Sequence, residues 1–390
     1  MIAQGQVLCP AVERVIYGRP AADALAEEVD RRDARRVFLL TSDSLRRNTD
    51  EIDRVTAQLA GRVAGIWSGM PPHGPRGAVL QAAAAMRQAD ADLLITIGGG
   101  SVTDAGKIML MCLGNDVYSH EDFDAYRVRV EDDGTVVMPS LKPPPIRSIT
   151  VPTTLSGGEF NPLGGATDER AKLKQGYEHR LLVPATIVLD PAITRHTPEW
   201  LWMSTGVRSF DHALETLGSF QSNDYCDGNA ANALVLLQEG LNWVKADPND
   251  MEGRLKCQMG VWHSMLPIVA GVPMGASHAI GHVLGGTCDV PHGYTSCVMA
   301  PFVLKFNAAV NADRQARISA LLGAPEEPAW TLVDRFIAGL GMPRSLAAVG
   351  VGEADLPLIA ENTMLDFWAR TNPRPINSAK DVMEILRTAL

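Results

Sequence analysis

Gly98-Gly99-Gly100-Ser101 follows a buried apolar run and opens a helical stretch. A backbone without side chains can approach an anionic ligand closely there and present N–H groups at the positive end of a helix, which is chemistry suited to a pyrophosphate. Asp104 and Lys107 extend the pattern to GGGSxxDxxK, a far more restrictive string than three glycines after a strand. The second constellation is made of histidines: His212 stands alone, while His278, His282 and His292 fall within a short stretch. His278 and His282 are four apart and share a helix face. Three neutral imidazoles can hold a divalent metal, and a histidine can equally donate hydrogen bonds or exchange protons near neutrality.

The elements that position these groups follow from composition and rhythm. The 390 residues predict two domains, 1–190 and 191–390, each able to bury a core. Hydrophobic residues make up 46% and charged residues 21%, values of a folded globular chain. The net charge of −10, with no basic run, argues against nucleic acid as a partner. Six scattered cysteines without a paired spacing read as reduced thiols, and neither a signal segment nor a membrane span is evident, so a cytoplasmic protein is expected.

In the first half, apolar runs alternate with helical stretches, as in βαβ units around a parallel sheet. Strands are expected at Val37 to Leu40, Val63 to Trp67, Leu93 to Ile97, Ile149 to Val151 and Val188 to Leu189, with helices over Gly77 to Gln88 and Val102 to Leu113. The acidic stretch from Gly114 to Pro145 reads as a surface insertion, and Glu169 to Val183 as a hairpin turning at Gln175-Gly176. From about residue 192 onward helical periodicity dominates, so the second domain is expected to be all-helical.

The ordered set of motifs resembles the iron-containing, or group III, alcohol dehydrogenases. GGGSVTDAGK is similar to the family's nucleotide-binding segment, Val151 to Glu159 (VPTTLSGGE) to its threonine loop, GVRSFDHALE at 206–215 to its first metal helix, SHAIGHVLGGTCDVPHG at 277–293 to its HxxxH and PHG elements, and Asn372-Pro373-Arg374-Pro375 to its C-terminal NPRP. The resemblance implies the dehydroquinate synthase-like architecture: an α/β dinucleotide-binding domain with a parallel sheet, then an all-α domain. It places Gly98, Gly99, Gly100, Ser101, Asp104, Thr153, Thr154, Ser156 and Lys174 at the cofactor, although Thr153 and Thr154 also read as strand-end hydroxyls satisfying local backbone, and Lys174 as a solvated hairpin lysine. It sets His212, His278 and His292 at the family's metal-binding histidines and His282 facing the nicotinamide.

Within that family, the short threonine loop and His73-Gly74-Pro75 look most like maleylacetate reductases, enzymes of aromatic compound catabolism that reduce a 2-enoate double bond with NAD(P)H. The family's metal site is completed by an aspartate one turn before the first histidine, and here that residue is Arg208. A guanidinium cannot ligate a metal and repels one, and maleylacetate reductases also lack the aspartate and work without a metal. The expected mechanism is therefore metal-free, with Arg208 as electrophile or carboxylate anchor and the four histidines lining the pocket; were Fe²⁺ or Zn²⁺ bound, His212, His278 and His292 would hold it. Ser42 stands where the family commonly has an aspartate that excludes a 2′-phosphate, so NADH is expected with NADPH tolerated. Phe160, Trp200, Trp202 and Trp262 are expected to shape the substrate pocket. The function implied is an NAD(P)H-dependent reductase of a small carboxylated oxo compound, working as a homodimer or a multiple of dimers. A metal-dependent alcohol or aldehyde dehydrogenase and a dehydroquinate synthase-like lyase are the alternatives.

Overall fold

The computed structural model describes residues 5–130, 135–171 and 173–390. It divides into two compact units, Pro10–His196 and Thr197–Leu390, the latter including the described residues before Pro10. The first unit is built on a six-stranded sheet of β1 (Arg14–Tyr17), β2 (Val37–Thr41), β3 (Val63–Ser68), β4 (Leu93–Gly98), a strand at Ser148–Pro152 and a strand at Thr186–Leu189. Between β4 and Ser148–Pro152 lies the two-stranded pair β5 (Arg129–Val130) and β6 (Val136–Val137), which makes Ser148–Pro152 β7. The antiparallel hairpin β8 (Leu163–Asp168) and β9 (Leu173–Glu178) then precedes β10 (Thr186–Leu189). The main sheet runs in the order β1-β10-β7-β4-β2-β3 and all its pairings are parallel.

Its strands read as continuous apolar runs because both faces are covered. From β2, Val37 and Leu39 pack on one face with Leu25, Val29, Ile52 and Val55, from helices α1 (Ala21–Arg31) and α3 (Glu51–Gln58). Phe38 and Leu40 pack on the other with Val79, Met86, Ile108 and Met109, from α4 (Arg76–Gln88) and α5 (Gly100–Gly114). The short helix α2 (Asp43–Asn48) begins directly after β2.

Three sequence expectations need correction. The glycine turn is shorter than read, since Gly100 and Ser101 already belong to α5. The hairpin turns after Asp168, and Gln175-Gly176 lies inside β9, where Gly176 faces Gly165 across the pair. The edge strand β1 and helix α1 had no counterpart in the pattern. Most of the acidic EDDGT stretch expected as a surface turn lies outside the described residues.

Thr197–Leu390 is helical throughout, with no strand among the described residues. It contains α6 (Glu199–Gly218), α7 (Asp224–Ala246), α8 (Met251–Val269), α9 (Ala276–Cys288), α10 (His292–Leu321), α11 (Ala329–Gly339), α12 (Leu356–Thr363) and α13 (Ala379–Ala389). Helix α6 is buried along most of its length, and α9, α10, α12 and α13 share a core of Ile280, Leu284, Met299, Val303, Ile359 and Ile385. Among the described residues no helix is long and apolar enough to cross a membrane.

One buried cation ties the sheet unit's accessory segments together. Arg76, in the first turn of α4, is 1% exposed and donates to the His120 carbonyl at 2.9 Å, Asp124 Oδ1 at 2.9 Å and Tyr177 Oη at 3.0 Å, with Asp168 Oδ2 at 3.2 Å. Removing one member of such a network strands the others, typically at about 3–5 kcal/mol. Arg76→Ala is therefore expected to lower unfolding stability by about 3 kcal/mol, read from the urea midpoint of the sheet unit's transition; a loss below about 1 kcal/mol would show that the hairpin is held by its own pairing.

Candidate active site

One candidate site forms at the carboxyl ends of the central strands, where loops leave β2 and β4 in opposite directions and ligands characteristically bind in open α/β sheets. Thr153 N donates to the Gly98 carbonyl at 3.0 Å, drawing the threonine loop onto the glycine turn. The fit leaves no room for side chains: a Cβ on Gly99 would come within 3.0 Å of Thr154 Cγ2, and one on Gly100 within 2.9 Å of Ser156 Oγ. Thr154 Oγ1 and Ser156 Oγ share a hydrogen bond of 3.1 Å. Ser101 Oγ accepts from His73 N at 3.3 Å, so the HGP segment also borders the turn. Ser42 caps α2, accepting from Leu45 N at 3.4 Å, and its own N–H reaches the Ile97 carbonyl at 3.0 Å. Gly98 to Ser101, Thr153, Thr154, Ser156 and Ser42 thus share one end of the sheet unit.

Asp104 and Lys174 join them through an ion pair of 3.5 Å, with Lys174 half-exposed on β9. Lys107, which is fully buried, donates to the carbonyls of Gly158 at 2.6 Å and Leu163 at 2.8 Å and pins both the threonine loop and the hairpin to α5. Beside it, burial pushes the Glu159 carboxyl up to about 7.

A second cluster of candidate residues lies within the helical unit. Arg208, Asp211, His212 and Glu215 project from successive turns of α6, and His278 and His282 from α9. Arg208 is 6% exposed and meets only the hydroxyls of Thr295 and Ser296, each at 3.5 Å; no carboxylate oxygen lies within ion-pair distance of its guanidinium among the described residues. Burial pulls it down to about 10, so it stays charged at neutral pH. Glu215 accepts from Gly275 N and Ser277 N, each at 2.9 Å, and lies 2.7 Å from His278 Nδ1. Asp211 accepts from Ser277 Oγ at 2.6 Å. Burial drives both carboxyls upward, Asp211 to about 8, raised further by the charge of Glu215, and Glu215 to about 7. His212 and His278 stack at 4.8 Å, and burial holds both well below the ordinary histidine range, so they are neutral.

The four histidines separate into two pairs. His282 lies against His292, with ring centroids 6.0 Å apart, and Trp368 covers it at 4.9 Å. Its Nδ1 is 2.9 Å from Asp366 Oδ2. Glu215, Asp366 and Trp368 went unread in the sequence. Glu215 had a signal, since positions 208, 211/212 and 215 follow helical spacing on α6. Asp366 had none, lying 84 residues from its partner. The aromatic residues expected in the pocket are placed differently: Phe160 and Trp202 are core residues at 2% and 1% exposure, and Trp202 lies under the Arg254 guanidinium at 4.8 Å. Trp200 is exposed and pairs with Tyr294.

As placed, the donor set does not make a divalent metal site. Among the described residues, the one cluster of His, Cys, Asp or Glu side chains placed to hold a metal ion is His120, Asp168 and Glu169, in the sheet unit, with ligand atoms within 4.8 Å of one another. His212, His278 and His292 do not converge, and the nearest fixed charge on α6 is the cation of Arg208.

Two family descriptions match the chain: iron-containing alcohol dehydrogenase over residues 12–191, and the C-terminal part of the Fe-containing alcohol dehydrogenase family over residues 202–390. A dehydrogenase of Alternaria alternata, ALT3, is 35% identical, covering 84% of this chain and 92% of that protein. Maleylacetate reductase 1 of Cupriavidus pinatubonensis is 28% identical, covering 96% and 93%. The crystal structure of maleylacetate reductase from Agrobacterium tumefaciens superposes with a TM-score of 0.83 at 26% identity, covering 100% and 99% of the two chains.

The raised carboxyls carry a stability signature. A carboxyl that binds its proton more tightly in the folded than in the unfolded state stabilises the fold at low pH and loses that contribution as pH rises through its folded value. With Glu215 at about 7 and Asp211 at about 8, against about 4 for a carboxyl in the unfolded chain, the helical unit is expected to lose stability as pH rises from about 4 to about 8. Asp211→Asn should flatten that decline in Tm measured across the range; an unchanged slope would show that the Asp211 carboxyl ionises freely in the fold.

Proposed function

We propose that this chain, which belongs to the iron-containing alcohol dehydrogenase family and is an NAD(P)-dependent oxidoreductase, reduces a small carboxylated oxo compound of the maleylacetate type with NADH, using the charge of Arg208 where a metal would otherwise stand. The observation that carries this reading is the buried guanidinium without a carboxylate partner. A buried charge is costly unless paired, so such a cation is built to receive an anion. A substrate carboxylate fits it bidentately, and so does the oxygen on which negative charge grows as hydride arrives. His212, held neutral beside it, can donate a hydrogen bond without adding charge, while His278, with Nδ1 on Glu215, presents Nε2 as an acceptor.

The sheet unit supports the cofactor assignment. The cradle formed by Gly98 to Ser101 against Thr154 and Ser156 admits backbone only, which suits a pyrophosphate at the N-terminus of α5. Asp104 and Lys174 stand beside it for the ribose or nicotinamide side. Bound NADH supplies the hydride. Ser42 brings no carboxylate to the end of β2, and the Arg46 guanidinium beside it is, among the described residues, hydrogen-bonded only to Ser68 Oγ, at 3.2 Å, so NADPH is tolerated.

A metal-dependent alcohol or aldehyde dehydrogenase is the second reading. One observation favours it: His212 Nδ1 and His278 Nε2 are buried without hydrogen-bond partners. The two readings part at Arg208. Removing an interaction made mainly in the transition state typically costs about 10²–10³ in rate, so Arg208→Ala is expected to lower kcat/KM on an oxo-enedioate by at least that factor and Arg208→Lys to recover part of it, with NADH binding, read by tryptophan fluorescence, unchanged. Activity of Arg208→Ala within a few-fold of the parent would remove the guanidinium from the mechanism.

A further inference from the structure

We propose that Asp366 is the positioning residue of a proton-donating dyad with His282, an inference that rests on the reductase reading above. Asp366 sits at the start of the short 3-10 turn Phe367–Thr371, and its two carboxylate oxygens are divided between two tasks. Oδ1 accepts from Trp368 N at 2.8 Å, which fixes the carboxylate in the backbone. Oδ2 lies 2.9 Å from His282 Nδ1. Trp368, two residues on, lies over the imidazole at 4.9 Å, and His292 lies parallel to it on α10. One turn of chain therefore sets both the tautomer and the plane of the ring.

An acceptor at Nδ1 means that this nitrogen carries a hydrogen, so the exchangeable position is Nε2. Among the described residues Nε2 has no hydrogen-bond partner, and the side chain is 37% exposed. The ring is thus held firmly on one side and free on the other. His278, four residues earlier, is arranged differently: it is 1% exposed, bonded to Glu215 and neutral. Of the two α9 histidines, only His282 has solvent access from which to regain a proton.

Reduction of a carbon–carbon double bond conjugated to an oxo group needs such a group. Hydride forms a C–H bond at the carbon remote from the oxo group, and the double-bond pair moves to give an enolate. That pair then forms a second C–H bond with the proton from His282 Nε2, whose N–H bond breaks. The ring is left neutral with its Nδ1 hydrogen on Asp366 and takes a proton back from water. Two electrons and one proton arrive with the hydride, and the second proton comes through the dyad. Reduction of an aldehyde needs the same proton, delivered to oxygen.

The test is Asp366→Asn. Asparagine keeps the backbone cap through Oδ1 but turns an amide N–H₂ toward Nδ1, which disfavours a hydrogen there and leaves Nε2 unable to give up its own without forming imidazolate. Inverting the tautomer in this way costs about 10⁴ in a serine-protease triad; here a fall in kcat of about 10²-fold or more is expected. The solvent deuterium isotope effect on kcat should rise, NADH binding by fluorescence should hold, and Asp366→Glu should recover part of the rate. Asp366→Ser, whose hydroxyl keeps the cap but cannot reach the ring, removes the acceptor without inverting the tautomer and should lower kcat less than Asn does. If kcat and the solvent isotope effect of both Asn and Ser variants match the parent, the dyad is overturned. Each variant is assayed on an oxo-enedioate and on a simple aldehyde. A parent enzyme that reduces only the aldehyde would overturn the carboxylated-substrate reading, while loss of that aldehyde activity in the variants would still uphold the dyad.

Discussion

A guanidinium taken out of water must find its counter-charge inside the protein or receive it from a ligand. Among the described residues no carboxylate lies within ion-pair distance of Arg208, which leaves the second course, the one proposed above. Around it the helical unit gathers two carboxyls, two neutral imidazoles and several hydroxyls, yet none of the carboxylates reaches the cation. Asp211 and Glu215 are instead committed to Ser277, to the backbone at the start of α9 and to His278, and burial pushes them toward their protonated forms. The network thus fixes the geometry of α6 against α9 without cancelling the charge of Arg208. In the proposed mechanism this arginine repels a dication and takes over its part, a fixed positive charge facing a developing anion.

The sheet unit solves a different problem, how to bring several backbone segments to one point without side chains interfering. A Cβ on Gly99 or Gly100 would crowd Thr154 or Ser156, and the fully buried amine of Lys107 holds the loop carbonyls in place. Burying that amine is costly, and the two short bonds to carbonyl oxygens together with nearby Asp104 are what make it tolerable. The restrictive GGGSxxDxxK spacing is therefore structural at its last position as well as suited to a ligand at its first.

The sheet and the glycine turn were legible because they depend on local signals: apolar runs covered on both faces, and glycines where backbones touch. The β8–β9 turn was misplaced because Gln-Gly reads as a turn, whereas Gly176 lies opposite Gly165 inside the pair. Strand β1 was missed because four residues on a sheet edge, with Tyr17 exposed, carry no burial pattern. Arg208 could be singled out from spacing on α6, but its lack of a partner could not, since that depends on Thr295 and Ser296 from α10. The bond between His282 and Asp366 joins residues 84 apart, and no periodicity announces it.

Elemental analysis of the purified protein, paired with NADH-dependent turnover of an oxo-enedioate before and after exhaustive chelation, tests the replacement of metal by arginine most directly. Substoichiometric metal with undiminished turnover after chelation is the predicted result. One equivalent of iron or zinc, with activity lost on chelation and restored by the metal, would contradict it.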